Sequence, residues 1–334
     1  MKSLVISGKL NMSVVAGDIP EPKDGLVRIK VKYVGICGSD LHYFFEGANG
    51  TFVLKEPLVP GHELSGVVDL DPSGEYSSGT RVTIHPARLG NSLPGIETLS
   101  HLWPNGSYLG SASTTPHTQG AMSEFLIVEK RMIRTIPESL SLKGAALCEP
   151  LAVALHAINL ADGVTNKNVL ISGSGPIGLL VIAACKVLGA ASICATDVFD
   201  GPLARSKELG ADRVIKIGEE AIPVEEFDLV LECSGVASAL SGAIVAVRRA
   251  GTIVQVGVLP AGHQNIAVSP LISKEVRLLG CFRFNNEIDQ AIRMISENPW
   301  IEKVITHSYS LDEAKVGFQM AKNSELSSKV LIAF

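Results

Sequence analysis

The sequence predicts an α/β chain of two domains, with a doubly wound parallel sheet inserted into a mostly β domain. Three observations predict it. Near Pro150 the pattern changes from short β-like pieces, punctuated by Gly, Pro and Asp, to alternating strands and helices. The hexapeptide "GSGPIG" joins the first of those strands to an apolar helix. The last six residues, "KVLIAF", form a short apolar strand with no place left in the second sheet, so they return to the first domain. A length of 334 residues agrees, because single cores stop growing at roughly 250–300 residues.

In the first half the expected strands include "GLVRIKVKYVGI", "GVVDL", "TRVTIHP" and "SEFLIVE". The segment from Pro86 to Gly120, rich in Gly, Ser, Pro and Thr, reads as a long loop, a kind that is usually functional, interfacial or mobile. After Pro150 the stretch "LAVALHAINLA" reads as a helix. It leads into six strands, "NVLISG", "SICATD", "DRVIKI", "DLVLECSG", "GTIVQVGV" and "VRLLGCF". The helices between them, "PIGLLVIAACKVLG", "LARSKELG" and "SALSGAIVAVRRAG", each end at a glycine suited to a C-cap. The expected boundaries are 1–150 and 284–334 for the β domain and 151–283 for the inserted one.

Composition excludes several classes. A net charge of −5 with scattered Lys and Arg gives no basic face for nucleic acid. The longest apolar run, "GLLVIAACKVLGAA", is broken by Lys186 and too short for a membrane span, so it reads as a buried helix and one sign of an oligomer. The N-terminal "MKSLVISGKLN" has neither an apolar leader nor a cleavage site, which makes a cytoplasmic location the default. The six cysteines lie far apart and mostly within apolar segments, as reduced core residues do.

Gly173, Gly175 and Gly178 lie where a strand gives way to a helix, with Ile177 in the same turn. Such glycines serve a tight turn, close approach to a pyrophosphate and helix-to-strand packing, while the helix N-terminus offers N–H donors to the anion. Asp197 ends the next strand, where its carboxylate either accepts from a ribose 2′-hydroxyl or caps a helix. With strand, glycines and helix in register, dinucleotide binding is the reading. Val198 and Phe199 supply no cation for a 2′-phosphate, so NAD is preferred, with NADP the alternative.

The stretch "GHELSG" sets His62 beside Glu63, and "GICGSD" brings Cys37. Taken singly these are a small core thiol, a loop imidazole and a surface carboxylate. Taken together they are three ligands of the kind a catalytic zinc needs, with a fourth position open. Ser39 and His42 follow Cys37 closely and could relay a proton from the reacting alcohol to solvent. Glu149 lies where one domain gives way to the other, as a site carboxylate or as a helix-start residue facing the dipole.

In "GICGSDLHYFFEG", "EPLVPGHELSG", "CEPLAVALHA", "SGSGPIGLL", "LECSG", "VQVGV" and "GCFRFNNE" the chain resembles the zinc-dependent medium-chain dehydrogenases over nearly its whole length. Within them it is most similar to the polyol branch, that of sorbitol and L-idonate 5-dehydrogenases. The resemblance implies a Rossmann domain inserted in a GroES-like catalytic domain, one catalytic zinc on Cys37, His62 and Glu63, and Glu149 as a further ligand or a neighbour of the zinc water. It assigns the proton path to Ser39 and His42 and polyol contact to Tyr43. Substrate and nicotinamide contact falls to Arg283, with Phe284 where relatives carry tyrosine. Val256, Gly257, Val258 and Phe282 would join the nucleotide site. A homodimer or homotetramer is implied, acting on a small polyol or aldonate.

Two departures matter. Many members hold a structural zinc on four closely spaced cysteines, whereas the matching window "PARLGNSLPGIETLSHLWPNGSYLG" has none, so one zinc and no structural zinc are expected. Pro202 stands where relatives often carry an arginine near the adenosine end of the cofactor. The competing readings are a threonine-type amino-alcohol dehydrogenase and a catalytically silent nucleotide-binding relative.

Overall fold

The computed structural model describes residues Met1–Phe334, which divide into two compact units. The first comprises Met1–Glu149, Ile288–Asn323 and Lys329–Phe334. The second comprises Pro150–Glu287 and Ser324–Ser328.

The first unit is organised by a seven-stranded sheet around Leu26–Gly35. Alternation in this strand buries Val27, Ile29 and Val31 on one face. A register shift between Val31 and Tyr33 then changes the phase, so that Val34 is the next core residue. Glu63–Leu70, Phe125–Glu129 and Lys329–Ala333 all pair antiparallel with it. The terminal apolar strand therefore lies in the first sheet, beside the residues that lead into Cys37.

The second unit is a six-stranded parallel sheet in the order Arg213–Lys216, Ser192–Asp197, Asn168–Ser172, Phe227–Glu232, Val247–Gln255, Arg277–Gly280. Val169, Leu170 and Ile171 are consecutive and all buried, as a strand covered on both faces requires. Strand order reverses between Asn168–Ser172 and Phe227–Glu232, the switch point at which open α/β sheets form a crevice at the strands' C-terminal ends.

Two expectations need correction. The helix expected to run through "SALSGAIVAVRRAG" stops at Ala246, because Val247 already pairs with Phe227. Arg248 is instead held outside by Asp228 at 2.6 Å. The second crossing between units falls at Glu287/Ile288 rather than 283/284, since the Glu287 carboxylate is bonded to His156 and Asn159 of the helix Cys148–Leu160. Ser324–Ser328 joins the second unit because Arg205 donates to the carbonyls of Ser324, Glu325 and Ser327. No helix is long and apolar enough to cross a membrane.

Candidate metal centre and dinucleotide cradle

Cys37 is the N-cap of the helix Gly38–Glu46, and Asp40 is the third residue of that helix. The Asp40 carboxylate is fully buried and accepts the backbone N–H of Cys37 at 2.9 Å and of Gly61 at 3.0 Å. One side chain thus ties the Cys37 turn to the turn that precedes His62. Glu63 opens the strand Glu63–Leu70 directly after it. One potential ligand atom from each of Cys37, His62 and Glu63 lies within 4.8 Å of the others.

His62 Nδ1 and Glu63 Oε2 are both buried without a hydrogen-bond partner. Such orphaned groups are costly, and a cation held by these residues would offset the cost. Burial alone pulls the His62 imidazole down, but the Cys37 sulfur and the carboxylates of Glu149 and Asp40 outweigh it and drive it up to about 10. An enclosed imidazole so strongly drawn to hold a proton marks a pocket of negative potential suited to a divalent ion. Sulfur, nitrogen and oxygen donors in this number fit zinc with one position left open.

Three further side chains complete the pocket, and sequence reasoning singled out only one of them. Glu149, in the first turn of Cys148–Leu160, is buried and accepts a hydrogen bond of 2.6 Å from the Tyr108 hydroxyl. The Tyr108 ring also meets His62 edge-on, with centroids 5.4 Å apart. Lys329 donates to Glu63 Oε1 at 2.7 Å and to the Ile36 carbonyl at 3.2 Å. Asp40 had a detectable signal in the capping-box spacing of "CGSD". Lys329 had a weaker one, a charge opening an apolar strand, and Tyr108 had none.

Burial holds the Glu149 carboxyl above its usual range, while His62 and the Tyr108 hydroxyl pull it back. Tyr108→Phe removes one of these opposing influences, the hydrogen bond, so Glu149 rises further. The acid limb of the kcat/KM profile is expected to move to higher pH, with an activity loss of about tenfold. An unchanged profile would show that the bond does not bear on catalysis.

In the second unit the glycine loop is built for an anion. Gly175 caps the helix Pro176–Val187, and a Cβ added there would meet nothing within 4 Å, so its backbone faces open space. A Cβ on Gly178 would sit 2.0 Å from the Gly173 carbonyl, which explains glycine where helix and strand touch. Ile177, in the first turn of this helix, is half-buried. Asp197 Oδ2 accepts the Ser174 N–H at 2.9 Å, and its Oδ1 accepts those of Val198 at 2.8 Å and Phe199 at 3.1 Å. The carboxylate is thereby fixed against the glycine loop. Val256 and Gly257 each donate their N–H to the Glu232 carbonyl at 2.8 Å, which leaves Val258 87% exposed. The open cradle and the fixed carboxylate fit a dinucleotide.

The alcohol dehydrogenase GroES-like domain model matches residues 23–138, and the zinc-binding dehydrogenase model matches residues 176–297. L-idonate 5-dehydrogenase (NAD(P)(+)) of Escherichia coli is 33% identical over 342 residues, covering 100% of this chain and 98% of that protein. The chain belongs to the zinc-dependent medium-chain dehydrogenases. Bovine sorbitol dehydrogenase is 33% identical over 99% of this chain and 95% of its own length. The crystal structure of the E. coli L-idonate 5-dehydrogenase superposes with a TM-score of 0.94 at 32% identity, covering 100% of this chain and 98% of that one. The fold is accordingly a Rossmann-type sheet inserted in a GroES-like domain, and the cofactors are zinc and NAD(P).

The remaining residues of interest in this dehydrogenase fall into two groups. On Gly38–Glu46, Ser39 is half-buried and His42 is exposed, its Nδ1 3.1 Å from Glu46 Oε1. Tyr43 is buried to 1% exposure, and its hydroxyl accepts the Ala112 N–H at 3.0 Å. In the second unit Phe284 is equally buried, Phe282 is half-exposed, and the Arg283 guanidinium lies 4.7 Å over the Phe282 ring.

Proposed function

We propose that this dehydrogenase oxidises a secondary alcohol of a sugar-derived polyol or aldonate, with NAD preferred over NADP and an aldonate favoured among the substrates. The pair Arg283–Phe284 carries the reading. Phe284 offers no hydroxyl to a substrate oxygen, whereas the Arg283 guanidinium can pair with a carboxylate. When bound, the metal supplies Lewis acidity at an alcohol oxygen and the nucleotide supplies a hydride acceptor. Cys37, His62 and Glu63 would hold the ion, with Glu149 beside it. The Asp197 carboxylate would accept from the ribose hydroxyl.

We assign the outward passage of the proton to Ser39 Oγ and His42, with His42 at the solvent end. Its exposure and its contact with Glu46 support this role. Tyr43 keeps its hydroxyl proton to donate to a substrate oxygen while accepting from Ala112. Six free thiols suit a reducing compartment, in keeping with the cytoplasm. The unpaired edge of Arg277–Gly280, with Leu278 exposed, supports assembly as a homodimer or homotetramer, which light scattering would measure. The functional test is NAD(P) reduction by zinc-loaded protein offered L-idonate, sorbitol and L-threonine. Turnover of L-idonate above sorbitol is expected; turnover of L-threonine alone would overturn the proposal.

A further inference from the structure

Arg283 is carried on a backbone that needs an anchor. Its φ of +53° lies in the left-handed region, which a non-glycine residue keeps only when its surroundings over-determine it. Four residues on, Glu287 is 11% exposed and spends both carboxylate oxygens on holding this loop. Oε2 accepts the backbone N–H of Asn285 at 2.8 Å and of Asn286 at 3.0 Å. Oε1 accepts from Asn159 Nδ2 at 3.2 Å and lies 2.9 Å from His156 Nδ1. An ionised carboxylate only accepts, so His156 Nδ1 carries the hydrogen. His156 and Asn159 sit on the regular helix Cys148–Leu160, so one carboxylate ties the "CFRFNN" loop to a rigid element.

Burial pushes the Glu287 carboxyl up, but the bond and charge of His156 and the backbone N–H of Asn285 outweigh it and hold it down to about 2. The anchor therefore keeps its charge at any working pH. His156 and Glu287 both lie in quoted stretches, "CEPLAVALHA" and "GCFRFNNE", but neither belongs to the zinc ligands or the phosphate cradle and nothing in the sequence pairs the two.

We propose that Glu287, held by His156, is a positioning residue that fixes the backbone of Arg283 and so aims its guanidinium at the polar end of the substrate. This rests on the reading of Arg283 as a substrate-binding residue. The anchor acts through Arg283 and does not itself touch substrate, metal or nucleotide.

Zinc-loaded wild type, Glu287→Gln, Arg283→Ala and the double variant are compared for kcat and KM on L-idonate and sorbitol, with zinc content and NADH fluorescence titration alongside. Glu287→Gln is expected to lower kcat/KM roughly ten- to hundredfold, chiefly through KM, because a small misplacement of a binding group is that costly. Zinc content and NADH affinity should stay within about twofold, and in the Arg283→Ala background Glu287→Gln should add less than about twofold. His156→Asn, which keeps a donor near the Nδ1 position, should retain most activity, whereas His156→Leu should match Glu287→Gln. This second pair carries the test should Glu287→Gln fail to fold.

An equal loss from Glu287→Gln with and without Arg283 would overturn the positioning role. So would unchanged KM values in Glu287→Gln and His156→Leu beside a strong effect of Arg283→Ala, which would leave the reading of Arg283 intact. Unchanged KM in Arg283→Ala would instead refute that reading and the inference with it.

Discussion

Cys37→Ser is expected to abolish zinc binding and dehydrogenase activity while leaving nucleotide binding intact. A serine hydroxyl is a far poorer ligand than a thiolate, so the set of three donors falls to His62 and Glu63. Losing the several kcal/mol of charge stabilisation that a metal gives corresponds to roughly a thousandfold or more in rate. Zinc should fall from about one per subunit to a small fraction of that, by elemental analysis of protein dialysed against buffered metal. NADH affinity should change by less than about twofold, because the glycine loop and Asp197 belong to the other compact unit. Retained zinc or undiminished turnover in Cys37→Ser would remove Cys37 from the metal centre. A wild-type content of two zinc ions per subunit would instead show that the cysteine-free window from Pro86 to Gly110 does not mark the loss of a second site.

The fold was largely legible because its signals are local. Consecutive buried aliphatics at Val169, Leu170 and Ile171, a glycine turn and an apolar helix follow one another within 20 residues, and the pattern specifies them without distant help. Cys37, His62 and Glu63 were legible for another reason: each alone has an ordinary structural reading, and it is the company of "GICGSDLH", Glu149 and the family pattern that makes them a ligand set. What is not legible depends on distant register. Lys329 reaches Glu63 across 266 positions in sequence, and it does so only because Lys329–Ala333 pairs with the strand that ends at Gly35. Tyr108 comes from a segment without periodicity, and nothing in "NGSYLG" ties it to Glu149. The end of the helix at Ala246 is not legible in "AIVAV", which is apolar in either conformation, and the partner Phe227 decides it. The His156–Glu287 anchor joins residues 131 apart in two separate motifs, and only the fold brings them together.

Lys329→Met is expected to destabilise the metal-free enzyme by about 3–5 kcal/mol, because it leaves the buried Glu63 without its cationic partner. The Lys329 and Glu63 side chains are 3% and 1% exposed, and their contact is 2.7 Å. Burial pulls the Lys329 ammonium down, but Glu63 and Cys37 outweigh it and hold it above its usual value, so it stays charged. At 1% exposure the carboxylate left behind has little access to water. Nor can the carboxylate swing away on the Gly35 side, because a Cβ there would lie only 2.1 Å from its Oε2, a sign of how closely the backbone already approaches. Zinc supplies Glu63 with a second source of positive charge, so the penalty should shrink in the loaded enzyme. The stability gap between zinc-loaded and chelated protein should therefore be wider in Lys329→Met than in wild type, as read by denaturant unfolding. Adding Glu63→Gln to Lys329→Met should recover much of the chelated protein's stability, since a neutral amide costs less to bury than an unpaired carboxylate. If Lys329→Met were as stable as wild type in the chelated state, the pair would be energetically idle. The positive charge would then have to matter, if at all, only for the orientation of Glu63 as a ligand, and the loss would appear in zinc affinity alone, by about ten- to a hundredfold as for other outer partners of metal ligands.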